Sequence, residues 1–220
     1  GHAVRIDFLD NSSRLVAMPA ASEAVFVLFD SAVKHANDDG SYAARRAACE
    51  SVRPKLGVAS LREVSSADLT RLPATLTDAE TDAVRHVVSE NARVELFAEA
   101  LENGRLSRAG ELMLESHESL SRVYRVSCDE VDTLVGIAAE HAGVLGARMT
   151  GGGFGGWTVA LVRTDAVADV TASVLSRYRA ATGLESSSRV VAAGDGARVV
   201  SSGAVAEIAS PRPPLRLPRR

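Results

Sequence analysis

Arg148-Met149-Thr150-Gly151-Gly152-Gly153-Phe154-Gly155-Gly156 puts five glycines into six consecutive positions, which keeps side chains off one surface of the backbone. A surface bared in this way lets a ligand approach the main chain closely. Successive exposed N–H groups form a concave anion site, and each hydrogen bond to a charged phosphate oxygen contributes about 1.5–3 kcal/mol, so a nucleotide phosphate is the natural candidate. Gly151, Gly153 and Gly156 satisfy GxGxxG, but a strand pattern follows where the dinucleotide fingerprint needs a helix. The Gly-Lys-Ser/Thr ending of a Walker loop is missing, as are the VAIK and HRD segments of protein kinases. On spacing alone two readings stand: a phosphate cradle, and a tight connection between two core strands.

Other residues with chemical capacity are more scattered. Lys34 is a point charge that could face phosphate or stand in solvent. Asp38-Asp39 could hold magnesium or act as a base, although paired carboxylates before a helix more often cap it and complement its dipole. His35, His86 and His117 have no mutual spacing that forms a metal site; they are expected to be structural, and no metal site is expected. Ser116 and His117 are neighbours on a helical pattern and point in different directions, with no nucleophile elbow around them, which excludes a hydrolase. Cys49 and Cys128 lack CxxC pairing and zinc-like His spacing, and are expected to be reduced, mostly buried thiols.

These groups need elements to hold them. Apolar segments at 3–8, 13–18 and 24–30, separated by polar turns such as Asp10-Asn11-Ser12-Ser13, predict three strands. From about Ser41 the period becomes helical, with Ala44, Ala47, Ala48 and Val52 on one face, Asp39 or Ser41 as N-cap, and Pro54 at or in the last turn. A second helix is predicted over 79–102 from Val94, Phe97, Ala98 and Leu101, stopped by Asn103-Gly104. A third carries Leu106, Ala109, Met113 and Leu120, and a fourth starts at Asp129 with Val131, Leu134, Val135 and Ala138. Strand, glycine loop and strand follow over 144–149, 150–156 and 157–163, then a helix with Val167, Val170 and Val174, a strand over 189–193, and a Gly194-Asp195-Gly196 turn into 197–200. Strands and helices in this order predict an α+β fold, a layered sandwich.

The 220 residues, 46% hydrophobic and 24% charged, suffice for a real core. A formal charge of -3 and 4% aromatic residues argue against nucleic acid as a partner. No apolar run reaches the ~18 residues of a membrane span and the start has no signal-peptide pattern, so the expected location is the cytoplasm with no membrane partner. Gly1 in place of methionine and the immediate strand pattern predict a piece of something longer. Residues 209–220 hold four of the seven prolines and four arginines, and a disordered tail is expected there.

The nine-residue string at 148–156 resembles the third signature motif of galactokinases, in the GHMP kinase superfamily. Other segments resemble other parts of the family pattern: Asp30-Ser31-Ala32-Val33-Lys34-His35, Ser41-Tyr42 and Arg45-Arg46-Ala47-Ala48-Cys49-Glu50 its segment with a substrate-contacting tyrosine, Arg85-His86-Val87-Val88-Ser89-Glu90 and the stretch from Leu112-Met113-Leu114-Glu115-Ser116-His117 to Ser127-Cys128 its middle, and Gly194-Asp195-Gly196-Ala197 its closing hairpin. The match runs in family order over about residues 1–200; Trp157 departs from it, since a small residue is usual there. The resemblance implies a GHMP kinase C-terminal domain with ferredoxin-like elements over 21–202. The last strands of the N-terminal domain would precede it over 1–20, and a disordered Pro/Arg tail would follow over 203–220. It implies ATP and magnesium, transfer to the anomeric hydroxyl of galactose, sugar contact by Tyr42, and a phosphate-region loop of Gly151, Gly152, Gly153, Phe154, Gly155 and Gly156. The family's first motif, Gly-Leu-Ser-Ser-Ser loop and catalytic aspartate precede the point matching Gly1, so no catalytic residue is expected in this chain, and inactivity alone is. A non-catalytic sugar or nucleotide sensor and a related sugar or mevalonate-pathway kinase are the rival readings; the Tyr42 and Arg45-Arg46 segment favours galactokinase.

Overall fold

A computed structural model describes residues 1–33, 41–194 and 196. Strands β1 (His2–Asp7) and β2 (Ser12–Ala17) form an antiparallel hairpin, and β3 (Ala24–Asp30), β4 (Val144–Met149), β5 (Trp157–Arg163) and β6 (Ser188–Val191) form a second sheet in the order β4-β5-β3-β6. All its pairings are antiparallel, with Val27 opposite Ala160 and Met149 opposite Thr158. The helices are α1 (Ser41–Leu56), α2 (Asp78–Glu102), α3 (Leu106–Glu118), α4 (Asp129–Ala139) and α5 (Val167–Thr182). Helices α1 to α4 lie between β3 and β4, and α5 lies between β5 and β6. This is the split β-α-β arrangement of ferredoxin-like folds, and the fold class is α+β as the element order predicts.

The strands are apolar at nearly every position because both faces of the sheet are covered. Val25, Val27 and Phe29 of β3, with Ala160 and Val162 of β5, point to one side and meet Leu134, Val135, Val170, Val174 and Tyr178 of α4 and α5. Ala24, Phe26, Val159 and Leu161 point to the other and meet Ala98, Leu101, Leu112 and Met113 of α2 and α3, with Val16 of the hairpin. Helix α3 approaches β4 with no side chain between: a Cβ on Gly110 would stand 1.9 Å from the Leu145 carbonyl oxygen, and one on Gly146 would stand 2.0 Å from that of Gly110. A smaller cluster of Val52, Leu61, Val84 and Val88 joins α1 to α2.

Helix α2 starts where a reciprocal cap allows it. Thr77 Oγ1 accepts the Glu80 N–H at 3.2 Å, and the Glu80 carboxylate accepts the Thr77 N–H at 2.9 Å. Lys55 Nζ and Ser51 Oγ of α1 donate to the same carboxylate at 2.7 and 2.8 Å, and the lysine contact above all holds Glu80 at about 2. The hairpin is tied to α2 by ion pairs of Arg5 with Glu95 and Arg14 with Glu102.

Several sequence expectations move. The packed side of α1 is Ala48, Cys49, Val52 and Leu56; Ala44 and Ala47 are exposed, because the helix touches the body through its second half. The third helix keeps α geometry only to Glu118 and continues as a π-helical turn over Ser119–Val123. The strand expected over 189–193 is Ser188–Val191, one residue earlier at its start and two at its end, where pairing with β3 runs out. Both cysteines are half-buried instead of mostly buried. The tail, Asp195 and 197–200 lie outside the described residues.

Candidate functional site

The glycine string is the connection between β4 and β5, and it is two structures in one. Gly153 and Gly155 face protein. A Cβ on Gly153 would lie 2.1 Å from the Val126 carbonyl oxygen, and one on Gly155 would lie 2.7 Å from that of Val33. The Phe154 N–H donates to Val126 O at 2.7 Å and the Gly156 N–H to Val33 O at 3.1 Å, so two carbonyls from distant parts of the chain pin the loop. Gly151 and Gly152 face outward, exposed, with no heavy atom within 4 Å of a Cβ on either. Gly151 has φ +87° and Phe154 φ +62°, so the loop bends through conformations that L side chains resist. Among the described residues no acceptor takes the N–H groups of Gly151, Gly152, Gly153 or Gly155, whereas those of Thr150, Phe154 and Gly156 are engaged.

Two segments flank the loop. Residues 31–33 leave β3 with Ser31 N–H bonded to Gly156 O at 2.8 Å and the Tyr178 hydroxyl of α5 donating to Ser31 O at 2.8 Å. They lead directly towards Lys34, which lies outside the described residues with His35 and Asp38-Asp39. Tyr42 stands in the first turn of α1 with 64% of its surface exposed. On the same face two turns later, Cys49 Sγ lies 3.6 Å from the Tyr124 hydroxyl, two residues before the Val126 carbonyl that holds the loop. Burial first, then Cys49, push the Tyr124 phenol above its usual range.

Under the loop, two buried histidines are bonded to chain atoms. His86 stacks on Tyr124 with ring centroids 4.2 Å apart and shares a 2.9 Å hydrogen bond with Ser119 Oγ; burial, then Arg93 and Arg148, push its pKa down to about 4. His117 Nδ1 accepts the Met149 N–H at 3.3 Å and its Nε2 lies 3.3 Å from Asp132. The histidines at 86 and 117 are structural in position, as expected. No group of three His, Cys, Asp or Glu among the described residues could hold a metal ion, so the described residues do not fit a resident magnesium site.

Arg148, the residue where the string begins, lines a cleft of about 310 Å³ between the sheet and helices α2 and α3, with Phe26, Arg93, Phe97, Met113 and Thr150. It has no carboxylate partner among the described residues, and burial, then Arg93, lower its pKa. A desolvated guanidinium therefore stands beside the start of a loop whose outer N–H groups have no acceptor among the described residues, and both favour an anion. Trp157 opens β5 and packs under the Arg189 guanidinium, 5.3 Å from the ring centroid, which accounts for the larger ring without crowding the outer half of the loop. The supporting carbonyls of Val33 and Val126 left no sequence signal, since any residue type supplies a backbone carbonyl.

The chain is similar to several known proteins. A model of the GHMP kinase C-terminal domain matches residues 97–180. Galactokinase from Chloroflexus aurantiacus is 44% identical over 205 residues, covering 91% of this chain and 52% of the relative. Galactokinase from Mycobacterium tuberculosis is 43% identical over 173 residues, 78% of this chain and 47% of the relative. A crystal structure of Lactococcus lactis galactokinase complexed with galactose superimposes with a TM-score of 0.78 at 31% identity, over 86% of this chain and 50% of that one. The chain thus spans about half the length of the curated relatives it matches. In sequence and in fold it matches the C-terminal half of galactokinases, and residues 97–180 match the GHMP kinase C-terminal domain.

Proposed function

We propose that this chain is the C-terminal half of a kinase that transfers the γ-phosphoryl group of ATP to the anomeric hydroxyl of galactose, giving galactose 1-phosphate and ADP. The observation that carries the reading is the outer half of the glycine loop. Gly152 has an ordinary φ and empty space around it, so the fold does not require glycine there, whereas a ligand approaching the backbone does. In this reading 151–156 closes over the nucleotide phosphates, Tyr42 contacts the sugar, and Lys34 is a further phosphate contact. Magnesium travels with ATP and neutralises phosphate charge when bound; the chain's own residues bind and position. The domain would span 21–202, with 1–20 ending the preceding domain and 203–220 as a tail. The cytoplasm is the proposed location, and no described helix is long and apolar enough to cross a membrane.

The group that deprotonates or orients the sugar hydroxyl, and most phosphate contacts, would come from the half of the relatives' length that this chain does not match. The 220 residues alone should then release no ADP in a galactose-dependent way, and a polypeptide spanning the relatives' full length should release it. Turnover by the 220 residues alone sinks the half-enzyme reading; a full-length polypeptide with no galactose kinase activity sinks the kinase reading. A sensor that keeps the fold without the chemistry is the alternative, favoured if calorimetry finds galactose or magnesium-ATP bound by this chain with no transfer in either polypeptide.

A further inference from the structure

The glycine loop is held from below by one carboxylate. Asp132, in the first turn of α4, accepts hydrogen bonds from Ser127 Oγ and, at 2.6 Å, from Ser121 Oγ, and faces His117 Nε2 at 3.3 Å. Two of these contacts lead to the loop. Ser127 adjoins Val126, whose carbonyl accepts the Phe154 N–H and blocks any side chain at position 153. His117 reaches from α3 to the outer edge of β4, where its Nδ1 accepts the Met149 N–H, two residues before Gly151. Strand β4 is at the edge of the sheet, and the neighbouring Thr150 N–H turns inward to Trp157 O, so the buried Met149 N–H points away from β5 and relies on this ring.

The bonding also fixes the state of the ring. An Nδ1 that accepts from a backbone N–H carries no proton, so the proton of the neutral imidazole sits on Nε2 and faces Asp132. A second proton would add an N–H on Nδ1 directed at the Met149 N–H, donor against donor, while strengthening the Asp132 contact on the other side. The charged and titratable groups around the ring are Asp132 from α4, Arg148 from β4 and Arg122 from the π-helical turn; on α2, Glu90 takes the hydroxyl of the adjacent Ser116 and His86 is kept neutral. Burial outweighs Asp132, and the two arginines add to it, so His117 stays neutral below the pH at which an exposed histidine charges.

We propose that His117 and Asp132 are positioning residues for the glycine loop, and that they hold its protein-facing half, on which the open half is carried, in place only while His117 is neutral. The role in nucleotide binding rests on the kinase reading above; the clamp itself does not. Its test therefore uses the 220-residue chain without nucleotide. In protein carrying ¹⁵N-labelled histidine, the ring resonances of His117 at pH 7.5 should report the neutral Nε2–H tautomer. Hydrogen-exchange protection factors of Phe154 and Gly156 should fall at least tenfold as the pH is lowered through the His117 titration, while those of α5 stay constant. His117→Asn leaves an oxygen where Nδ1 was, so it should keep the loop protected at pH 7.5 and abolish the pH-dependent fall. His117→Leu should expose the same amides at every pH. An Nδ1–H tautomer, loop protection that ignores His117 titration, or a His117→Leu chain with Phe154 and Gly156 still protected overturns the clamp. Magnesium-ATP titration of the full-length polypeptide then separates the two claims: a clamp that passes with no nucleotide bound leaves the clamp standing and removes the kinase reading.

Discussion

Gly152 and Gly153 are adjacent and identical, yet they answer to different demands. Position 153 has φ +95° and a backbone carbonyl 2.1 Å from where a Cβ would sit, while position 152 has neither constraint. Gly153→Ala should therefore cost about 3 kcal/mol from strain and clash together, a fall in Tm of about 6–12 °C for a chain of this length. Gly152→Ala should leave Tm within about 1 °C and weaken nucleotide binding about tenfold, the loss of roughly one charged hydrogen bond. Thermal unfolding and calorimetry on the two variants check this, and equal effects on stability would mean that the outer half of the loop is also packed. Glycine content alone signalled a backbone meant to be approached. It did not say that protein approaches one half of the loop and leaves the other half open.

Elements were the most legible level where both faces or one stripe are buried. Strands β1 to β5 and helices α2, α4 and α5 lie within a residue or two of where the apolar pattern puts them, because burial imposes period 2 or 3.6 on the sequence. Helix α1 misled because alanines fit an exposed face as well as a buried one, and its contact is carried by Val52 and Leu56. The π-helical turn after α3 has no compositional mark either. Between α3 and β4 the decisive pair is Gly110 and Gly146, spaced far apart in the chain and invisible as a pair until the helix lies on the strand. Gly110→Ala must push α3 off the sheet, and should cost about 3 kcal/mol or more in urea-unfolding stability with the secondary-structure content kept. A loss under about 1 kcal/mol would show that helix and strand can slide apart freely.

Across the molecule as a whole, the hairpin leaves an apolar surface open among the described residues. Val4, Ile6 and Leu15 stand 56%, 51% and 63% exposed on the hairpin face opposite α2, and Phe8 at its turn is 84% exposed. A patch of this kind on an isolated chain favours association. Sedimentation velocity over a concentration series should show self-association that Val4→Thr, Ile6→Thr and Leu15→Thr together abolish, with Tm unchanged, since none of the three packs on the body. A monomer at every concentration would show that these residues are too dispersed to act as a surface.

By itself the amino-acid sequence determined the α+β class, the position of nearly every strand and helix, the glycine loop and the family resemblance, because these depend on local periodicity, on glycine's freedom and on short strings of residues. Tertiary structure alone decided which glycines are packed and which are open, that Val126 and Val33 lend carbonyls to the loop, and that a histidine and an aspartate hold it from beneath. Those contacts join positions far apart in the chain through backbone atoms that every residue possesses, so no pattern of side-chain types encodes them.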